Sequence, residues 1–448
     1  MTNTWDLDSA SQHVHQFGGL DGAQQIALVA LLNAHFPPAV YEDHVRRRRA
    51  ALANQDALRS VLSRAVLDAP RVVSAQSVVA TPADLCGCGV VFTAGGEGER
   101  LRLSLLEQGI PAHELTDFTK ATFPLPGFPG NAGALQINLR VIAHLAAQAG
   151  CDIPVVVTTG PAGSITARVI PRIIAENRAF GLSSVRVVEQ DERLHLTVDD
   201  KIAWRLVDDR VELITQPDET GGPLMKLRAP DPALGSSALD WLVARGCSRV
   251  LVLQGTAVYD PTLLLRMAAA GRDRDGLGVG ISRTSFPADD PYGTFVNVND
   301  GGRTQLMIVE QQWRPDAVRS VREPGSGAFL PFNTGFYAFD VELLRRKGLP
   351  DYATSPKEVL PGLPRAPKAG FAATDILPMA ENPAVLSIPE SWFAVLKNAG
   401  DLRVLSELAL ALGLDRMGVA SQPRLEGHIN GSLDGADRVL RKHIQVPR

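Results

Sequence analysis

A chain of 448 residues with 45% apolar side chains can bury a large core and divide into about two or three domains. Its 45 Lys and Arg against 49 Asp and Glu leave a net charge of −4, which speaks against a nucleic-acid-binding surface. No apolar run reaches membrane-spanning length, and the polar start MTNTWDLDSASQ lacks the basic-then-apolar form of a signal peptide, so a cytoplasmic protein with no membrane partner is expected.

Residues 1–80 read as helical, since HVHQFGGLDGAQQIALVALLNAHF carries apolar residues at steps of three and four. The run Arg46 to Arg49 reads as a solvated helix face. Four cysteines, Cys86, Cys88, Cys151 and Cys247, show no zinc-like spacing and read as small buried thiols flanking a strand. From Val90 the pattern changes. Apolar runs bounded by turn residues (GVVFTAGG, DIPVVVTTGPAG, SVRVVEQDE, SRVLVLQGT, GVGISRT) alternate with amphipathic stretches such as GALQINLRVIAHLAAQAG and PAGSITARVIPRIIAENRAFG. That alternation predicts an α/β fold with a mostly parallel sheet covered by helices on both faces. Further on, PYGTFVNVNDGGRTQLMIVEQQ predicts a hairpin turning at Asp300-Gly301-Gly302, FNTGFYAFDVELLRR a strand running into a helix, and 402–414 a helix before a polar tail. There is no repeat of 20–50 residues and no low-complexity segment.

The stretch 91-VFTAGGEGERLRLSLLEQGI-110 sets a glycine-rich turn between an apolar run and a helix-like pattern. Glycines let backbone N–H groups approach a ligand, and the following helix directs its positive end there. Gly95-Gly96-x-Gly98 is neither G-x-G-x-x-G nor followed by G-K-[ST], so dinucleotide-fold and P-loop readings do not fit. In isolation, a tight structural turn and a phosphate loop fit it equally well.

AGGEGERL resembles the GGxGTRL signature of sugar-1-phosphate nucleotidyltransferases, the pyrophosphorylases that make nucleotide sugars. The segment 119-TKATFPLPG-127 is similar to the P-K-x-x-x-P segment of that group, and 134-ALQINLRVIAHL-145 to the helix that follows it. In the same order come 188-VEQDE-192, 216-QPDETGG-222, 307-MIVEQQ-312 and 388-IPESWFAVLKNAGDL-402. The last resembles the F-x-P-V-K-N segment of the eukaryotic-type UDP-sugar pyrophosphorylases. The resemblance spans roughly residues 10 to 410. It implies a Rossmann-like (glycosyltransferase-A-like) nucleotidyltransferase fold, with an N-terminal helical region at 1–85, a catalytic domain at 86–400 and a C-terminal helix and tail at 401–448. The implied ligands are a nucleoside triphosphate and a sugar phosphate, with magnesium as cofactor.

Carried over position by position, the resemblance implies a triphosphate loop of Gly95, Gly96 and Gly98. Arg100 would face the β and γ phosphates, while Lys120 and Lys397 would flank the α-phosphate. Gln190 would read a pyrimidine edge beside Pro217 and Glu219. Thr220, Gly221, Glu310 and Asn333 would line the sugar site. Phosphoryl-type transfer asks mainly for positioning and charge neutralisation, so two lysines and one arginine suffice, and no Ser/His/Asp or Cys/His arrangement is needed.

Two departures stand out. Glu99 occupies the place of the signature's Thr, and Gly255-Thr256 that of the strand-end Asp expected to hold magnesium. Asp260, four residues later, belongs to a helix-starting Asp-Pro. Asp401, Asp218 and Glu99 are the carboxylates left as candidate metal ligands. The expectation is an enzyme coupling a nucleoside triphosphate, UTP by default, to a sugar 1-phosphate. The alternative is a catalytically silent binding homologue that keeps the fold.

Overall fold

The computed structural model describes residues 4–417 apart from 97, 218–220, 232–234, 288, 347–351, 358–365 and 371, and gives only the backbone of 99, 217, 352–357 and 366–370. The polar tail from 418 onward lies outside the described residues. Two compact units form. The first gathers Met1–Ala65, Asp191–Gly222 and Lys347–Asp375; the second gathers Val66–Gln190, Pro223–Arg346 and Ile376–Arg448.

In the first unit the helical reading holds as far as Arg64, with helices Leu7–His13, Gly22–His35 and Pro38–Arg64. Asp21 starts the second through a capping box with Gln24. Apolar residues on these helices, among them Leu28, Leu32 and Tyr41, bury against Leu194, Leu196, Ile202 and Val211. The arginine run does not form one solvated face. Arg46 and Arg47 pair with Asp43 at the surface, but Arg48 is buried and, with Arg49, closes on the Asp200 carboxylate. A helix turns about 100° per residue, so four consecutive side chains cannot share a face.

Beyond Arg64 the helical reading fails. Val66–Asp68 and Val72–Ser74 are short strands that find partners in the second unit's sheet, Val66–Asp68 beside Asn297–Asn299 and Val72–Ser74 beside Val385–Ser387. Tertiary pairing overrides local periodicity here, and the β-branched valines suit it.

The main path of that sheet runs Val72–Ser74, Pro383–Ile388, Gly276–Arg283, Phe329–Asp340, Arg249–Gln254, Cys88–Thr93, Val155–Thr159, Val185–Glu189. Phe329–Asp340 runs antiparallel to both its neighbours; every other pairing on the path is parallel. The mixed, mostly parallel α/β sheet expected from the alternating pattern is what forms. Along Cys88–Thr93, Val155–Thr159 and Arg249–Gln254 the side chains are buried almost without interruption, as they must be when both faces are covered. The hairpin forms as read, Thr294–Asp300 against Arg303–Val309, with Gly301 and Gly302 at φ +61° and +88° as a two-residue turn of this kind requires. Asp401–Ala411 is the late helix.

The cysteine reading needs correction. Cys86 and Cys151 form a disulfide with Cα atoms 6.0 Å apart, whereas Cys88 and Cys247 are buried thiols. Gly87, at φ +82°, turns the chain between Cys86 and Cys88. Gly150, at φ +67°, ends the Ala134–Ala149 helix and delivers Cys151 to the same place. Sixty-five residues separate the pair, so nothing local in the sequence announces it.

Candidate functional site

The carboxyl edge of the parallel strands is where loops diverge and ligands of open α/β sheets sit. On this edge the Cys88–Thr93 strand gives way to the glycine turn, Val185–Glu189 to Gln190, and Arg249–Gln254 to Gly255-Thr256. Because Phe329–Asp340 runs the other way, its beginning, with Asn333, reaches the same edge; Asn333 pairs with Gly280 and Phe329 with Arg283.

The three glycines of the turn have different duties. At Gly95 an added Cβ would lie 2.2 Å from Gln190 Nε2 and 2.7 Å from the Thr159 carbonyl oxygen. Gly98, at φ +74°, opens the Glu99–Glu107 helix, and a Cβ there would lie 2.6 Å from Lys120 Cβ. Nothing lies within 4 Å of the corresponding point at Gly96. Gly95 and Gly98 are thus packing requirements that seat the turn against Gln190 and Lys120, while Gly96 borders open space. Gln190 itself is buried, its N–H donating to the Thr159 carbonyl at 3.2 Å.

Lys120 rides a tight turn. Thr119 and Thr122 join their hydroxyls at 2.6 Å, and Phe123 N–H bonds back to the Thr119 carbonyl at 2.9 Å. Gly133, at the head of the Ala134–Ala149 helix, lies so close to Thr122 that a Cβ would meet its backbone at 2.4 Å. Lys397 arrives from the other side. The strand Phe393–Val395 pairs with Ala257–Tyr259, and Leu396 N–H donates to the Thr256 carbonyl at 3.0 Å. Lys397 and Asn398 N–H groups then both donate to Asp401 Oδ2, at 2.7 and 2.8 Å.

These placements bring Arg100, Lys120, Asp401 and Glu310 within electrostatic reach of Lys397. Loss of water, then Lys397 and Arg100, push the Lys120 ammonium down to about 8, against an opposing pull from Asp401. Burial also lowers Lys397, with Asp401 and Glu310 opposing and Arg100 adding to the depression. A half-buried cationic cluster of this kind is poised to receive an anion.

Glu310 and Asn333 meet at Gly293. A Cβ on Gly293 would lie 2.8 Å from Glu310 Oε1, and Asn333 N–H donates to the Gly293 carbonyl at 2.8 Å. Asn333 Oδ1 accepts from Gly335 N–H at 2.9 Å, and its Nδ2 reaches Tyr337 Oη at 2.9 Å. Pro217 and Gly221 belong to the first unit, where Pro217 pairs with Glu192 in a short ladder. Asp218, Glu219 and Thr220 lie outside the described residues, as does the side chain of Glu99.

Where the strand-end Asp was expected, the Arg249–Gln254 strand ends in Gln254, whose Nε2 donates to the Thr334 carbonyl at 2.6 Å. At Gly255 an added Cβ would lie 3.1 Å from Ala94 Cβ, so this position is closely packed. Asp260 accepts from Thr262 N–H at 2.8 Å, the helix-start role read from the sequence. Asp401 spends one carboxylate oxygen on two backbone N–H groups. Among the described residues no three His, Cys, Asp or Glu side chains come together to hold a metal ion. Of the three candidate metal ligands, Asp401 alone has its side chain among the described residues; Asp218 and the Glu99 side chain lie outside them.

Two residues of this edge escaped the sequence reading. Gln254 was legible in principle as the first polar residue after an apolar strand run. Tyr292, whose ring lies under the Lys397 ammonium, was absorbed into the predicted hairpin. A cavity of about 380 Å³ in the first unit, lined by His35, Asp43, His44 and Arg193 among others, includes none of the expected site residues.

No family model matches the chain, and no curated protein matches its sequence. Solved structures do match. The uridine diphosphate N-acetylglucosamine pyrophosphorylase of Trypanosoma brucei, in complex with an inhibitor, aligns over 92% of this chain and 85% of its own, with a TM-score of 0.64 at 15% identity. A mutant of the Leishmania major UDP-glucose pyrophosphorylase in complex with UDP-glucose aligns over 82% of this chain and 78% of its own, with a TM-score of 0.56 at 17% identity. A UDP-glucose phosphorylase of Trypanosoma brucei aligns over 80% and 78%, with a TM-score of 0.55 at 16% identity. The fold of this chain is therefore the one shared by the UDP-N-acetylglucosamine and UDP-glucose pyrophosphorylases.

Proposed function

We propose that this chain is a nucleotidyltransferase that joins a nucleoside triphosphate to a sugar 1-phosphate, or a sugar-like phosphate, and releases pyrophosphate. The observation that carries this reading is the convergence of Arg100, Lys120 and Lys397 beside the glycine turn at the sheet's carboxyl edge. Uridine is the default base because the solved structures named above are UDP-sugar pyrophosphorylases, among them one holding UDP-glucose.

In the proposed step an oxygen of the sugar phosphate attacks the α-phosphorus. The bond from that phosphorus to the bridging oxygen breaks, and pyrophosphate leaves with the electron pair. The attacking phosphate is already an anion at pH 7, so no general base is required. Lys120 and Lys397 would flank the α-phosphate and Arg100 would face the leaving pyrophosphate, spreading the charge that develops. Gln190 would read the base edge. Glu310 and the remaining Nδ2 hydrogen of Asn333 would take sugar hydroxyls.

A second reading, a silent binding homologue, is favoured by one observation: Gln254-Gly255-Thr256 stands at the central strand end with no acidic cluster among the described residues. Pyrophosphate release separates the two. The purified chain is incubated with each common nucleoside triphosphate, magnesium and a panel of sugar phosphates. Release with at least one pair is expected. Nucleotide binding by thermal shift without release from any pair would sink the enzyme reading and leave the second.

A further inference from the structure

We propose that Tyr292 is a positioning residue for Lys397: its ring seats the lysine ammonium, and a buried cluster of two arginines and one aspartate holds that ring in place. Lys397 Nζ lies 4.2 Å from the Tyr292 ring centroid, well inside the range of a cation–π contact. The Tyr292 ring stacks on Phe332 at 4.6 Å with planes 19° apart, and Arg283 lies over Phe332 at 4.9 Å. An aromatic pair thus stands between the reaction site and a buried guanidinium.

The backbone of Tyr292 is gripped at both ends. Its N–H donates to Asp290 Oδ1 at 3.0 Å, and Arg314 Nη1 donates to its carbonyl at 3.0 Å. Asp290 is ion-paired to Arg283, and Arg314 Nη2 donates to the Asp290 carbonyl at 2.8 Å. All three side chains are almost wholly buried. Burial, with Arg314 beside it, pushes Arg283 down to about 9. Buried ion pairs are weak sources of stability, and breaking one is strongly destabilising. What this cluster supplies is a fixed backbone for residues 290–292, and so a fixed ring.

The consequence falls on Lys397, a flexible four-carbon side chain whose backbone Asp401 anchors but whose ammonium needs a second point of hold. Asp401 and Glu310 attract that ammonium, and Arg100 repels it; Lys120 adds to the repulsion. The ring supplies attraction without a competing carboxylate that would repel the phosphate. The ring thereby favours the charged form of the lysine and holds it near the proposed α-phosphate position.

The kinetic arm of the test rests on the nucleotidyltransferase reading; the labelling arm does not. The full-length chain is compared with Tyr292→Phe, Tyr292→Leu and, as a second ring-free variant, Tyr292→Met. Lys397 acylation by acetic anhydride at one fixed pH is mapped by mass spectrometry and normalised to Lys201. Ring-free variants are expected to label Lys397 about 3- to 10-fold faster, as loss of a cation–π contact frees the amine, and Tyr292→Phe at the original rate. In turnover, ring-free variants lose about 10-fold in kcat with KM for the nucleoside triphosphate within about 2-fold, and Tyr292→Phe recovers most of it. Unchanged labelling in the ring-free variants overturns the proposal, with or without a turnover loss, and so does a Tyr292→Phe variant that labels like Tyr292→Leu. If the unsubstituted chain turns over no substrate pair, the nucleotidyltransferase reading falls and the labelling result alone decides the role of Tyr292.

Discussion

Gly98 stands so close to Lys120 that a Cβ on the glycine would lie 2.6 Å from the lysine's own Cβ. The contact ties the glycine turn to the proposed α-phosphate lysine. Gly98 also sits at φ +74°, where a side chain is strained whatever the space. Gly98→Ala is therefore expected to lose about 1–2 kcal/mol of stability from the backbone alone and to displace Lys120, lowering kcat about 10-fold or more. Gly96→Ala, with open space around it, should fold as well as the unsubstituted chain. Chemical denaturation and steady-state kinetics check both; equal stability of Gly98→Ala and Gly96→Ala would contradict the contact.

Lys397→Ala removes one of three cations from the cluster. Its expected effect is a fall in kcat of about 10²–10³ with the melting temperature little changed, since the backbone bonds to Asp401 survive the substitution. A near-normal turnover rate would remove Lys397 from the proposed site.

The depression of Lys120 to about 8 has a signed consequence. The unfolded chain holds the lysine proton more tightly than the folded one between about pH 8 and 10. Ligand-free protein therefore gains stability from this group as pH rises through that window. A bound triphosphate supplies the missing negative charge and raises the ammonium again, so binding near pH 8 takes up about half a proton or less at this site. Calorimetric titration with nucleoside triphosphate in two buffers of different ionisation enthalpy measures the uptake. It should shrink in Lys120→Met; equal binding heats in both buffers for the unsubstituted chain would argue against the assignment.

In the first unit, Arg48→Ala leaves the Asp200 carboxylate with only the exposed Arg49. A loss of about 3 kcal/mol is expected, against under about 0.5 kcal/mol for Arg46→Ala at the surface. Urea denaturation of the two variants would reveal equal losses if the arginine run were one solvated face after all.

The Cys86–Cys151 bridge closes a long loop, and Cys151→Ser is expected to lower stability by about 2–4 kcal/mol. Burial pushes the Cys88 thiol up to about 11 and Cys247 up to about 12. Native protein should then show no rapidly reacting thiol toward a disulfide reagent, and two after denaturation without reductant. Four thiols under the same conditions would show that the bridge is absent.

Much of the sheet was legible because its strands are buried on both faces. Burial of that kind writes continuous apolar runs such as GVVFT and RVLVLQ into the sequence, and their alternation with amphipathic helices points to one fold class. The hairpin was legible because a two-residue turn with positive φ at both positions needs residues such as Gly301-Gly302. The strands at 66–68 and 72–74 were not, because three residues carry too little pattern to outweigh the long helix before them, and their partners lie hundreds of residues away. The inward turn of Arg48 depended on the helix meeting Asp200, 152 positions further along the chain.

At the site, the sequence by itself supplied the list of chemically apt residues: the glycine turn, Arg100, Lys120, Lys397, Glu310 and Asn333. They were singled out by the resemblance of their segments to the pyrophosphorylases, since the glycine turn taken alone fitted a structural turn equally well. Only the tertiary structure decided which of them meet, that Gly95 and Gly98 are packing requirements while Gly96 is open, and that Asp401 holds the Lys397 backbone. It alone brought Tyr292 under the lysine and set a buried Arg283–Asp290–Arg314 cluster behind it. The contact of Tyr292 with Lys397 joins segments more than a hundred residues apart, and a contact of that kind leaves no local period or motif for a sequence to display.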